Sequence, residues 1–390
     1  MVNDFNLSRI PKIVFGYGKL SKLPLLVKAF GNNLLILTGK GSFVKSMHAK
    51  TLFDKLERNG IALNIEPVDH EPSPAMVDLL VKKYSGKSLQ VIASIGGGSV
   101  IDAGKATSAM LLMDEPVKEY LEGVGSKNHP GTKIPFIAVP TTAGTGSETT
   151  GNAVLSQTGP DGFKRSLRHE HFIPDVALVD PELTMSCSQQ QTALSGMDAF
   201  TQLLESFLSA SNNSFTDALA LEGIMHIKKS LKSAVSDGHD PEARAGMSYA
   251  ALLSGITLAN AGLGLVHGFA SSIGGLKDIP HGVICGTMMG IVNRYTVEKL
   301  LKSNESSTAL QKYIKLGKML SEDDGRSDVD YAFFVANYIE SLVEELNIPT
   351  LGYYGLSAED IARIAQTTDH KNNPVIFTSE ELSEMVSKRL

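Results

Sequence analysis

Tryptophan is absent from this 390-residue chain, and cysteine occurs only twice. Cys187 and Cys285 are far apart and form no CxxC pair. That excludes a disulfide framework, and a reducing compartment, the cytoplasm, is expected. A surplus of basic charge is also missing. Lys and Arg number 36 against 42 Asp and Glu, for a net charge of −6. Basic residues gather only in short pairs such as Lys82-Lys83 and Lys228-Lys229. Nothing here attracts nucleic acid or an anionic membrane, and neither is expected as a partner. Asp4, Arg9 and Lys12 precede any long apolar run, which is unlike a secretory signal. One stretch, Gly246 to Leu276, has no Asp, Glu, Lys or Arg. Its length would span a bilayer. Its wealth of Gly, Ser, Ala and Asn reads instead as a buried core helix.

What is present is a chain able to bury a real core, with 42% hydrophobic and 20% charged residues. The first half alternates apolar runs with amphipathic stretches. Leu34–Leu37, Ala62–Val68, Val91–Ile95, Phe136–Val139 and Val176–Val179 read as strands, several closed by glycine turns. Alternating strands and helices imply a mostly parallel sheet that binds ligands at its carboxyl edge. After Pro181 helical patterns take over: Ala193–Ser209, Ser214–Ser236, Glu242–Asn260, Val283–Asn293, Thr308–Ser321, Asp330–Leu346, Ala358–Thr367 and Ser379–Lys388. The expected organisation is an α/β nucleotide-binding domain over 1–185 and an all-helical domain over 186–390. No internal repeat or low-complexity tract interrupts it.

Three polar turns follow strands. Gly96-Gly97-Gly98-Ser99 opens a helix, where glycines admit a ligand to the backbone and free amides suit a phosphate. Neither familiar phosphate motif fits. GxGxxG would need glycine at Ile101, and GxxxxGK[ST] would need glycine at Ser99 and a hydroxyl at Ala106. A tight turn without ligand is the bland alternative. The second turn, Pro140 to Glu148, offers Thr141, Thr142, Thr145 and Ser147. Two such turns after neighbouring strands favour a nucleotide. The third turn has Gly39, Lys40, Ser42 and, further on, Lys45, with no acid for the ribose hydroxyls. That points to a 2′-phosphate, hence NADP(H), unless the lysines are merely exposed.

Asp198, His267 and His281 are metal-ligand types suited to zinc or ferrous iron. Asp198 falls early in a helix, where an acid is commonly a cap. His267 sits in an apolar segment, where a satisfied core histidine is common. His281, between Pro280 and Gly282, is expected at a turn. A helix and its following loop would bring both histidines to one point. Gln202, one helical turn after Asp198, is a poor substitute for a third imidazole.

Together these segments resemble the iron-containing (group III) alcohol dehydrogenase family over nearly the full length. The resemblance is carried by FGYGKL (15–20), GGGSVIDAGKA (96–106), PTTAGTGSE (140–148), NAV (152–154), FKRSLR (163–168), PDVALVDPEL (174–183), SGMDAF (195–200), HGFASSIGG (267–275) and the PHG around His281. It implies a dehydroquinate synthase-like architecture with a cleft between the two domains. It also implies NAD(P)-dependent interconversion of a small alcohol and an aldehyde or ketone, and often a dimer or larger homo-oligomer. By motif, Gly97, Gly98, Ser99 and Asp102 would surround the pyrophosphate and nicotinamide ribose. Thr141, Thr142, Thr145 and Ser147 would line the cleft, and Lys164 would reach the nicotinamide. Gly39 to Ser42 resembles the NADPH-using members. Asp198, His267 and His281 occupy three of the four metal positions. The family's histidines are replaced at Gln202 and at Ser271. Gln202 would make a weak fourth contact, or three ligands would leave an open position, so zinc gains on iron. A metal-free reductase and a non-catalytic nucleotide-binding protein are the alternatives.

Overall fold

The computed structural model describes residues 4–41, 43–159, 162–303, 307–321, 323 and 325–390. The first half builds a six-stranded sheet from β1 (Lys12–Phe15), β2 (Asn33–Gly39), β3 (Ala62–Val68), β4 (Val91–Gly96), β5 (Phe136–Pro140) and β8 (Val176–Val179). Its order is β1-β8-β5-β4-β2-β3, and every pairing is parallel. The strands are continuous apolar runs because both faces are covered. In β2, Leu34 and Ile36 pack with Leu52 and Leu56 of α2 (Met47–Arg58) and with Leu23 and Val27 of α1 (Leu23–Lys28). Leu35 and Leu37 pack on the opposite face with Leu80 of α3 (Pro74–Tyr84) and Val100 of α4 (Gly98–Met110).

Strand order changes direction between β2 and β4. The carboxyl ends of these two strands, at Gly39 and Gly96, therefore flank the crevice where open α/β sheets take their ligands. Gly104 lets α4 lie close on the sheet. A Cβ there would stand 2.0 Å from Ser94 Oγ and 2.9 Å from Phe136.

Two strand features escape the sequence reading. β1 is a short edge strand. β6 (Asn152–Gln157) and β7 (Phe163–Arg168) form an antiparallel hairpin outside the main sheet.

The second half is helical: α5 (Gln189–Leu208), α6 (Ser214–Ser236), α7 (Pro241–Ala261), α8 (Leu265–Leu276), α9 (His281–Lys302), α10 (Thr308–Leu320), α11 (Asp328–Glu345), α12 (Ala358–Thr367) and α13 (Ser379–Ser387). One core joins them, with Met197, Phe200, Ile224, Phe269, Met288, Tyr313 and Val335 buried in it.

Three expectations need correction. Asp198 is in the middle of α5, because Ser188 caps the helix by accepting the Gln191 N–H and the polar Gln189 to Gln191 form its first turn. The uncharged stretch is not one helix. It breaks at Gly262–Gly264, where Gly262 has φ 74°, and α7 and α8 meet at 97°. His281 does not sit in a turn but begins α9, directly after Pro280. No single helix among the described residues is long and apolar enough to cross a membrane.

Candidate active site

The bend between α7 and α8 turns His267 toward α5, and the start of α9 supplies His281. Their Nε2 atoms each lie 3.5 Å from Asp198 Oδ1. That oxygen is buried and has no hydrogen-bond partner among the described residues. Cys285, one turn after His281 on α9, adds its sulfur 3.6 Å from His281 Nε2 and 3.9 Å from His267 Nε2. All four ligand-type atoms lie within 4.8 Å of one another.

Two further residues on the Asp198 stripe of α5 support this cluster. Glu205, buried two turns on, accepts the His267 Nδ1–H at 2.6 Å and the Val266 N–H at 2.6 Å. It thereby caps α8 and fixes the imidazole with Nε2 facing Asp198. Gln202 faces elsewhere with its oxygen: Oε1 accepts from Ser254 Oγ at 2.7 Å, while the amide donates to Asp198. Ser271 donates back to the His267 carbonyl at 2.9 Å. The sequence reading missed Glu205 and Cys285. Their only sequence signals are the spacings Asp198 + 7 and His281 + 4.

The cluster is electrostatically tense. Burial opposes the Asp198 carboxylate, but His281, His267 and the Gln202 hydrogen bond hold it below the usual range. His267 stands well above its ordinary value: burial works against its charge, and Cys285, Glu205 and Asp198 outweigh it. His281 is pushed down to about 4, chiefly by burial and also by Lys164. Burial pushes the Cys285 thiol up to about 11. The donor set fits a divalent cation, which would take the place of these shared protons.

The expected cofactor residues surround the crevice. Gly97 precedes α4 with no side-chain cap, so the first amides of the helix are free for an anion. Thr142 and Thr145 press on this turn. A Cβ at Gly98 would lie 2.6 Å from Thr145, and one at Gly97 would lie 3.4 Å from Thr142. Thr141 ties the second turn to the first through its N–H to Gly96 O at 2.9 Å. Asp102 and Ser147 bond to each other, and Asp102 also accepts the Val154 N–H at 3.0 Å. Lys105 lies beneath them, wholly buried, donating to Ser147 O, Thr150 Oγ1 and Asn152 O.

At the third turn Lys40 is not unpaired, since it forms an ion pair with Asp69, just beyond the end of β3. The expectation that no acid lies near this turn is corrected: adjacent parallel strands bring Asp69 beside Lys40 from 29 residues away in sequence. Ser42 falls outside the described residues. Lys164, on β7, donates to both oxygens of Glu71 at 2.7 and 2.9 Å, with Ser156 at 3.0 Å. Lys164, Arg165, Ser271, Ser272 and Arg363 help line a cleft of about 140 Å³ beside α8.

Comparison with known proteins agrees with this geometry. Residues 11–181 match the iron-containing alcohol dehydrogenase family, and residues 192–390 match the Fe-containing alcohol dehydrogenase family, C-terminal. The chain is 31% identical to alcohol dehydrogenase 4 of Saccharomyces cerevisiae, covering 97% of each protein. It is 29% identical to the NAD-dependent methanol dehydrogenase of Bacillus methanolicus, covering 97% of this chain and 98% of that one. A crystal structure of 1,3-propanediol oxidoreductase superposes with a TM-score of 0.88 at 28% identity, with full coverage of both chains. The chain therefore belongs to the iron-containing alcohol dehydrogenase family and is an oxidoreductase acting on CH–OH groups.

Proposed function

We propose that this enzyme interconverts a small alcohol and its aldehyde or ketone, using a nicotinamide dinucleotide and a divalent cation held by Asp198, His267 and His281. The observation that carries the reading is the buried, unpartnered Asp198 Oδ1 facing two imidazole nitrogens at equal distance. When bound, the cation supplies Lewis acidity toward the substrate oxygen and the nicotinamide supplies the redox partner.

The chain contributes position. Glu205 fixes the His267 tautomer, and Gln202 orients Asp198. The first amides of α4, with Gly97, Gly98 and Ser99, would hold the pyrophosphate, with Thr141, Thr142 and Thr145 at the neighbouring turn. Asp102 and Ser147 brace that turn from the protein side. Gly39 would leave room at the ribose, and the Lys40–Asp69 pair offers a cation for a 2′-phosphate and a carboxylate for ribose hydroxyls, so the turn suits NADP(H) or NAD(H). Lys164, held by Glu71, would reach the nicotinamide. Serine at 271 leaves no imidazole at that place to relay the substrate proton.

The free thiols Cys187 and Cys285 support a reducing, cytoplasmic setting. Phe5, Leu7, Ile10 and Ile13, exposed at and before the edge strand β1, support a homo-oligomer.

The test is NADPH-dependent reduction of a panel of small aldehydes before and after stripping metal with a chelator. Activity is expected to vanish and to return with Zn²⁺ or Fe²⁺. Full activity in metal-free protein would overturn the Lewis-acid role and leave a metal-independent reductase.

A further inference from the structure

We infer that Cys285 is the fourth metal ligand, giving an Asp-His-His-Cys site selective for zinc over iron. The inference rests on the metal site proposed above and names the residue that fills the place Gln202 does not.

Gln202 is otherwise engaged. Its oxygen, the only atom able to ligate, accepts from Ser254 Oγ at 2.7 Å, and its amide serves Asp198. Cys285 has no such commitment: among the described residues its sulfur has only the two imidazole Nε2 atoms as hydrogen-bond neighbours, at 3.6 and 3.9 Å. It is fully buried and shares the face of α9 that carries His281, one turn away.

The distances suit ligation. Bond lengths of about 2.0–2.2 Å to nitrogen or oxygen and about 2.3 Å to sulfur, in a tetrahedron, put neighbouring nitrogen and oxygen ligands about 3.4 Å apart and nitrogen and sulfur about 3.6 Å apart. The two histidine–aspartate separations are 3.5 Å, and the two histidine–sulfur separations are 3.6 and 3.9 Å. The two histidine–aspartate contacts are long for a hydrogen bond, and Asp198 Oδ1 makes none among the described residues. All four atoms lie within 4.8 Å of one another, close enough to share one ion. The second observation is independent of the thiol: Glu205 holds His267 by Nδ1, as carboxylates do behind metal-bound histidines. A thiolate in place of an imidazole moves the donor set toward zinc, which favours nitrogen and sulfur in tetrahedral sites.

The chain has two cysteines, so the test can be made unambiguous. Protein purified without chelator is analysed for metal by elemental analysis, then stripped and loaded with Co²⁺. Visible ligand-field bands report that cobalt is bound. A near-ultraviolet thiolate-to-cobalt charge-transfer band reports sulfur ligation. We expect one zinc per chain, and a charge-transfer band that persists in Cys187→Ser and disappears in Cys285→Ser. Because Cys187→Ser retains a single thiol, the assignment stands even if Cys285→Ser does not fold. Cobalt bound in Cys187→Ser without a charge-transfer band overturns Cys285 ligation and leaves the three-ligand site intact. No cobalt bound to the wild-type protein overturns both.

Discussion

Glu205 touches neither substrate nor cofactor, yet it decides which nitrogen of His267 is free. Its carboxylate can only accept, so it demands a proton on Nδ1 and leaves Nε2 as the nitrogen that can give up its proton to a metal. In Glu205→Gln the amide can still accept from Val266, but its NH2 then meets the Nδ1–H, donor against donor. The ring must change tautomer, and Nε2–H points at Asp198. Metal affinity is expected to fall by about 10–100-fold, the usual effect of losing such a partner. Competition against a chromogenic chelator measures it, with cofactor affinity as the control. Unchanged metal affinity would show that Glu205 only caps α8. Sequence reasoning reached Asp198, His267 and His281 because their residue types advertise ligation. It missed Glu205 and Cys285 because their meaning lies in helical phase. Once Asp198 is placed mid-helix, the positions four and seven residues on fall on the same face, and Gln202 and Glu205 are both explained.

Among elements, one contact that joins the two halves is a meeting of backbones. Gly146, with φ 61°, brings its carbonyl against Gly255 of α7, and a Cβ on Gly255 would lie 2.1 Å from both Gly146 O and Thr149 Oγ1. A backbone carbonyl cannot swing aside, so Gly255→Ala must push α7 away from the turn that carries Thr141 to Ser147. Overpacking of this kind costs about 1–3 kcal/mol. Denaturant unfolding is expected to register that loss, and the KM for the dinucleotide is expected to rise with it. A stable variant with unaltered KM would show that the turn is not held by α7. The main strands and most helices were legible, since long apolar periodicity depends little on context. The α7–α8 break, the β6–β7 hairpin and edge strand β1 were not. The break needs only Gly262 at positive φ, and the hairpin is stabilised by packing against α4 and α8 rather than by its own pattern.

For the molecule as a whole, the buried charges behind the cofactor crevice set a pH dependence of stability. Glu148 is buried, and burial pushes its carboxyl up to about 7, with its own backbone hydrogen bond and Lys105 opposing. An unfolded glutamate titrates near its model value of 4.5. Between these two values the folded chain binds more protons than the unfolded one, so stability falls as pH rises. The Glu148 contribution is thus fully present below about 4.5 and lost by about 7 to 8. Lys105 acts in the other window. Burial pulls it down to about 8 from 10.5, so stability rises from pH 8 upward as the unfolded chain holds the extra proton. The pair predicts a trough between these windows, near neutrality. Glu148→Gln removes its acid side. A glutamine matches the protonated glutamate at low pH, so wild type and variant should unfold alike at pH 4.5. At pH 8 the variant should be the more stable by an amount on the order of 3 kcal/mol, about 1.4 kcal/mol for each unit between 4.5 and 7. Denaturant midpoints taken at intervals across that range give the difference curve directly. A flat curve would mean that the Glu148 carboxylate is accommodated in the folded state without penalty. The crevice wall at Glu148 would then be open to water.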